Sequence, residues 1–225
     1  MENNRIIAIG DIHGCANTLR SLLLKVKADP QKDNIVFLGD YIDRGAYPLE
    51  VINIIQRLVF SNPNNVIALK GNHEDMCYRY YREHNVIWTS NGYIPTKLKI
   101  DCLPGPEIED LLNWMNELPL LTEIQGYKFS HSGFYGLEQF VYCERKYYKC
   151  LWDRNWIENA ANLAKGSISD VFGHTPSEKP LKINDSIGID TGCCYGGCLT
   201  AAIIENEEIN TVSVPADEKD IILRK

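Results

Sequence analysis

Apolar blocks alternate with amphipathic blocks through the first third of the chain. Residues 5–10 (Arg-Ile-Ile-Ala-Ile-Gly) are apolar without alternation, the pattern of a strand covered on both faces. Residues 15–27 place Leu19, Leu22, Leu23 and Val26 on one helical face. Ile35-Val36-Phe37-Leu38 predicts a second buried strand. Leu49, Ile52, Ile55, Leu58 and Val59 mark a second helix. Val66-Ile67-Ala68-Leu69 predicts a third strand, and a helix is expected from about His73. A β-α-β-α-β-α order predicts a parallel sheet with right-handed crossovers.

The pattern changes over residues 77–118, which are aromatic, polar and irregular, with Tyr78, Tyr80, Tyr81, Trp88 and Tyr93. Helix signals return at 106–117, where Pro106 precedes Leu111, Leu112, Trp114 and Met115. Shorter strand signals follow at about 120–124, 127–131, 170–173, 186–190, 199–205 and 209–214, with helical material at roughly 137–165. These later strands predict a second, more antiparallel sheet beside the first, and both sheets sandwiched between helices. No linker divides the chain, so residues 1–225 read as one domain, with 77–118 an insertion covering the mouth of a site.

Composition narrows the classes. A net charge of −7 argues against broad binding of a nucleic-acid polymer, which needs a basic footprint. It leaves phosphate substrates open, because bound divalent cations reverse the field inside a cleft. No apolar run approaches the roughly 18 residues of a membrane span, and the residues after Met1 show no secretory pattern, so a cytoplasmic protein without membrane contact is expected. The eight cysteines show no dense framework and are expected to be reduced. Cys193, Cys194 and Cys198 lack zinc-knuckle spacing and read as small residues packed around a glycine-rich turn.

Five short runs carry the candidate chemistry: Gly10-Asp11-Ile12-His13-Gly14, Gly39-Asp40-Tyr41-Ile42-Asp43-Arg44-Gly45, Gly71-Asn72-His73-Glu74, His131-Ser132-Gly133 and Gly173-His174-Thr175. Each sets Asp, Asn or His just after an apolar stretch. Asp11 and His13 can aim at one ion, although Asp11 alone also suits a helix cap. Asp40 is the candidate bridge between two cations, which at about 3.5–4 Å apart can clamp the attacking and leaving oxygens of a phosphoryl displacement. Asp43 is placed to orient an imidazole, and Arg44 offers a planar fork for phosphate oxygens. Asn72 is a neutral oxygen ligand that leaves net positive charge for phosphate, and His73 is a candidate proton donor to the leaving oxygen. Glu74 reads as the start of a helix. His131 and His174 stand at strand ends, and imidazole suits zinc, iron or manganese better than magnesium. Arg154, after Trp152-Asp153, is a second phosphate clamp or a surface arginine against Trp152. Asp190 reads as a turn former, and His84 has no assigned role.

Together these runs resemble the phosphoprotein-phosphatase branch of the calcineurin-like metallophosphoesterases, over about residues 7–202. Leu151-Trp152-Asp153-Arg154 and Ile189-Asp190-Thr191-Gly192 are similar to its compact bacterial and phage members. The resemblance implies a four-layer α/β/β/α sandwich with mixed sheets. It implies a first metal held by Asp11, His13 and Asp40, and a second by Asp40, Asn72, His131 and His174. His73 would be the general acid, oriented by Asp43, and Arg44, Asn72 and Arg154 would bind phosphate. Attack would come from a hydroxide between the two metals, expected by resemblance to be manganese, with iron and zinc the alternatives.

Trp88-Thr89-Ser90-Asn91-Gly92-Tyr93-Ile94-Pro95-Thr96 resembles an element of the small lambda-type Ser/Thr protein phosphatases, with Tyr93 where a second Gly is common. Ser132 likewise stands where Ala or Gly is commoner. The expected function is therefore a metal-dependent phosphomonoesterase, of Ser/Thr protein phosphatase type, acting as a monomer on phosphoproteins or phosphopeptides. The alternatives are a symmetrical bis(5'-nucleosyl)-tetraphosphate hydrolase, another nucleotide hydrolase, or a silent binding module that has kept the fold.

Overall fold

The computed structural model describes residues 5–133, 144–154 and 169–222. Strands β1 (Ile6–Ile9), β2 (Asn34–Phe37) and β3 (Val66–Ala68) alternate with helices α1 (Ala16–Lys25), α2 (Pro48–Ser61) and α3 (Asn72–Glu83). Then come α4 (Ile94–Ile100), α5 (Gly105–Glu117), β4 (Leu121–Ile124), β5 (Tyr127–Ser130), α6 (Glu144–Trp152), β6 (Ser169–Phe172), β7 (Leu181–Ile183), β8 (Ser186–Gly188), β9 (Cys198–Glu205) and β10 (Glu208–Pro215). Of the helix expected across 137–165, α6 falls within the described residues. Asp153 and Arg154 follow it without helical structure, and 137–143, with Cys143, and 155–165 lie outside the described residues.

Among the described residues the strands form two five-stranded sheets, ordered β10-β9-β1-β2-β3 and β4-β5-β6-β8-β7. In the first, β1, β2 and β3 run parallel as expected, with Ile6 opposite Asn34 and Ile35 opposite Val66. Strands β9 and β10 were expected in the second sheet. They instead complete the first, antiparallel to β1, with Ile7 opposite Ile203 and Ala8 opposite Ala202. Strand β9 is apolar and buried on both faces, so it belongs beside another doubly covered strand. Local pattern shows that requirement but not the partner. The second sheet is more parallel than expected, since β5, β6 and β8 run the same way and the antiparallel pairs lie at its edges.

Side chains of β1 and β2 sort by parity. Ile7, Ile9, Ile35 and Phe37 face a core shared with Leu19 and Leu22 of α1 and Val51, Ile52 and Ile55 of α2. Ile6, Ala8, Val36 and Leu38 face Phe129, Val171 and Ile187 of the second sheet. On the outer side of that sheet, Cys150 of α6 packs against Leu120 and Leu121. The layers are thus helix, sheet, sheet, helix. Fully burying each such aliphatic side chain contributes about 1.5–3 kcal/mol.

The 77–118 stretch is more regular than its sequence suggests. Pro95 sits in the first turn of α4, where its missing N–H is harmless, and a seven-residue helix is too short for periodicity to reveal. Trp88, Ile100, Leu111, Leu112 and Met115 all join the first core. The seven cysteines among the described residues are free thiols. Cys193 and Cys194 are buried in a tight turn between Gly192 and Gly196, as expected. No helix of the described residues is long and apolar enough to cross a membrane.

Candidate metal centre

All five motif runs lie at carboxyl ends of strands, after β1, β2, β3, β5 and β6, and their Asp, Asn and His residues come into contact with one another. The loops are held in unusual backbone. His13, Asp40, Asp43, Arg44 and His174 all have positive φ, at 44°, 54°, 71°, 66° and 65°. Asp and His tolerate that region better than most residues, and such clusters mark sites over-determined by their surroundings. Hydrogen bonds supply the constraint: the amides of Ile12 and His13 both donate to the Asp40 carbonyl, and Gly45 N donates to the His13 carbonyl.

Asp40 is the centre. Its Oδ2 lies 3.3 Å from His13 Nε2 and 3.9 Å from His73 Nε2, and its Oδ1 lies 3.4 Å from His131 Nε2. Two buried groups, His13–Asp40–His73 and Asp40–His131–His174, could each hold an ion, and Asp40 belongs to both. Burial pushes its carboxyl up, but the imidazoles of His131, His73 and His13 outweigh burial and hold Asp40 well below the usual carboxylate range.

The imidazoles are presented as ligands. His13 Nδ1 lies 2.7 Å from the Ile42 carbonyl and His131 Nδ1 lies 2.9 Å from the Leu38 carbonyl. A carbonyl only accepts, so each Nδ1 carries the proton and each Nε2 offers a lone pair inward. Burial, then the Arg44 charge, lowers His13 to about 4. Burial, then the proximity of His131, lowers His174 to about 2. Neutral imidazole is the form that binds metal.

Asn72, the first residue of α3, points its amide oxygen at His131 Nε2 (2.9 Å) and His174 Nδ1 (3.1 Å). Acceptors therefore face acceptors. Turned over, the one amide nitrogen would face His131, His174 and both oxygens of Asp40 within 3.2 Å. Either way, the pocket has more lone pairs than protons, the condition a divalent cation relieves. A mixed oxygen and nitrogen set without thiolate fits manganese, iron or zinc.

Asp11 is buried and accepts from the His174 amide at 3.0 and 3.1 Å, tying the first loop to the last. Burial, then the charges of Asp190 and Asp40, push its carboxyl well above the usual range, which a cation beside it would reverse. Gly173 makes this contact possible: a Cβ there would lie 2.1 Å from Asp11 Oδ1. Asp11 stands outside the His13–Asp40–His73 group.

His73 faces the cleft from α3. Its Nδ1 donates to Asp43 Oδ2 at 2.6 Å, and Trp88 Nε1 donates to the same oxygen at 2.6 Å. Burial lowers its imidazolium, but Asp40 and the Asp43 hydrogen bond and charge outweigh burial, so His73 stands above its ordinary value. Arg44 lays its guanidinium beside both imidazoles, Nη1 at 2.5 Å from His13 Nε2 and Nη2 at 2.9 Å from His73 Nε2. Arg154 is exposed at the edge and donates to the His174 carbonyl at 3.2 Å, while Trp152 packs edge-on to the His174 ring. Asp190 accepts from Gly192 N at 3.0 Å, a turn-forming bond.

The sequence matches the calcineurin-like phosphoesterase family over residues 4–197. The chain belongs to that family. A Bacillus thuringiensis (strain Al Hakam) relative, named asymmetrical bis(5'-nucleosyl)-tetraphosphatase PrpE, is 30% identical over 236 residues, covering 92% of this chain and 93% of its own. A Geobacillus relative of the same name is 30% identical over 240 residues, covering 94% of each. Among solved structures, a putative diadenosine tetraphosphatase superposes with a TM-score of 0.70 at 22% identity, covering 96% of both chains. A Saccharomyces cerevisiae serine/threonine phosphatase superposes at 0.71 with 17% identity, covering 96% of this chain and 81% of its own. These last two are likenesses of fold.

Sequence reasoning missed the groups that hold the phosphoesterase loops in place. Glu74, read as a helix start, is fully buried. Its two oxygens accept from the amides of Asp40 (2.9 Å), Tyr41 (2.8 Å), Ile42 (3.4 Å) and Gly71 (3.0 Å). One carboxylate thereby locks the loop after β2 onto the start of α3. Its place three residues into the helix was the available signal. Trp88, Gly92 and Thr96 grip Asp43 and Arg44: Asp43 N donates to Thr96 Oγ1 at 2.8 Å, and Arg44 N to the Gly92 carbonyl at 3.0 Å. No local signal links them to residues some fifty positions earlier.

Proposed function

We propose that this phosphoesterase hydrolyses dinucleoside polyphosphates asymmetrically. The shared Asp40 between two imidazole groups carries the hydrolytic reading. Relatives of that name, 30% identical across nearly both whole chains, support the substrate. This reverses the order expected from sequence, where phosphoproteins came first and symmetrical cleavage was the nucleotide alternative.

The proposed ligands are Asp11, His13 and Asp40 for one ion and Asp40, Asn72, His131 and His174 for the other, with manganese the favoured metal. Divalent ions held there would supply a nucleophile from water near neutral pH and would neutralise charge on phosphoryl oxygens. Arg44 and Arg154, with Asn72, receive the phosphate oxygens. His73, oriented by Asp43 and Trp88, would offer a proton from Nε2 to the departing oxygen once Arg44, whose Nη2 lies 2.9 Å from that nitrogen, turns to the phosphate.

A Ser/Thr protein phosphatase is the second reading, favoured by one observation. The His73–Asp43 pair, joined at 2.6 Å, is built as a proton donor, which an alkoxide, leaving poorly unprotonated, needs more than a nucleotide phosphate does.

Turnover of diadenosine tetraphosphate and of a phosphoserine peptide by the same manganese-loaded protein decides between them. The expected products are ATP and AMP, with kcat/KM at least ~10-fold above the peptide. Two ADP would mean symmetrical cleavage, preference for the peptide would establish the second reading, and no release with any divalent metal would overturn both.

A further inference from the structure

Tyr195 has no part in the proposed ligation or proton transfer, yet it stands beside the guanidinium that faces His13 and His73. The Arg44 Cζ lies 5.4 Å from the centroid of its ring, while 55% of Tyr195 is exposed. The turn that carries it is built to display it. Gly192 and Gly196 flank it in left-handed conformation, at φ 68° and 87°, and its amide donates to the Gly192 carbonyl at 2.9 Å. Gly197 N returns to the same carbonyl at 3.0 Å, so the turn is closed on itself. Cys193 and Cys194 point inward and Tyr195 points out. A large aromatic ring held out at a polar phosphate site presents a π face at little conformational cost, and nucleobases of any identity stack on such a face.

We infer that Tyr195 is a nucleobase-stacking subsite, taking the base of a nucleotide whose phosphate lies against Arg44. The inference rests on the proposed nucleotide reading and extends it by naming where the base is recognised. Asp43 and His73 serve any phosphoryl compound. A base platform distinguishes nucleotides from bare phosphates.

Titration calorimetry on the manganese-loaded full chain tests it, with ADP and pyrophosphate as probes. The wild type is expected to bind ADP at least ~10-fold tighter than pyrophosphate. That ratio should fall to near one in Tyr195→Ala and persist in Tyr195→Phe. A merely structural role would weaken both probes alike and leave the ratio intact, which would overturn the inference, as would a wild type that does not favour ADP. Failure of the substrate reading looks different. A wild type that leaves diadenosine tetraphosphate uncleaved, but whose preference for ADP depends on Tyr195, keeps the subsite and loses the reaction.

Discussion

At the scale of single residues, the centre works by setting the protonation of neighbours against one another. Asp40 is held ionised among imidazoles. Burial keeps His13 and His131 neutral while carbonyls fix the Nδ1–H tautomer of each, and His73 is tuned upward by Asp40 and by Asp43. In the proposed scheme, Nδ1 of the ligands His13 and His131 meets a backbone carbonyl, whereas Nδ1 of the acid His73 meets a carboxylate. Replacing Asp43 by Asn keeps the shape but removes the charge that favours the imidazolium. His73 would then lose its proton at lower pH, so the alkaline limb of the kcat profile should move to lower pH. The maximal kcat should fall roughly 10²-fold. A pH–rate series on the variant checks this, and an unmoved alkaline limb would remove His73 from the acid's role.

At the scale of elements, strands aim the ligands and tight loops fix them. The loops after β1, β2 and β6 each hold a residue at positive φ, and each is tied to another loop rather than to its own strand. The tie between Asp11 and the His174 amide depends on the missing side chain at Gly173. In Gly173→Ala the methyl group would sit in the carboxylate. Asp11 and His174 must then separate, and manganese affinity should drop about 10- to 100-fold, as read by metal titration. Unchanged affinity would show that the last loop is not needed to hold the ions. The stretch from 77 to 118 contributes here too. Trp88 and Thr96 grip Asp43 as a unit, through contacts that sequence periodicity does not record.

At the scale of the whole molecule, segments far apart in sequence are tied together beside the loop that carries Arg44. Asp220 is buried and accepts from the amides of Asn17 and Thr18 at 3.1 and 2.7 Å, and from the Thr18 hydroxyl at 2.6 Å. It caps the start of α1 from some two hundred residues away, and its own carbonyl accepts from Ala46 N at 2.9 Å, just past Arg44. A carboxylate at a helix N-terminus both satisfies free amides and meets the favourable end of the helix dipole. Asp220→Ala leaves those donors buried and unpaired, and stability should fall by about 2–4 kcal/mol. Denaturant melts of the metal-free proteins would show it as a lower midpoint with an unchanged slope. An unchanged midpoint would mean water replaces the carboxylate.

Sequence by itself determined the three leading strands and helices, because apolar runs and a 3.6-residue period are local properties. It also determined the identity of the ligand-type residues, since Asp, Asn and His directly after buried strands are legible wherever the strands go. Tertiary structure decided what those local signals leave open. It placed β9 and β10 in the first sheet, made Glu74 a clamp on four backbone amides, and brought Trp88 to Asp43 and Tyr195 to Arg44. Each of these is a pairing between distant segments, settled by which buried faces and unpaired polar groups find one another as the layers close. A pattern confined to neighbouring residues holds no record of that choice.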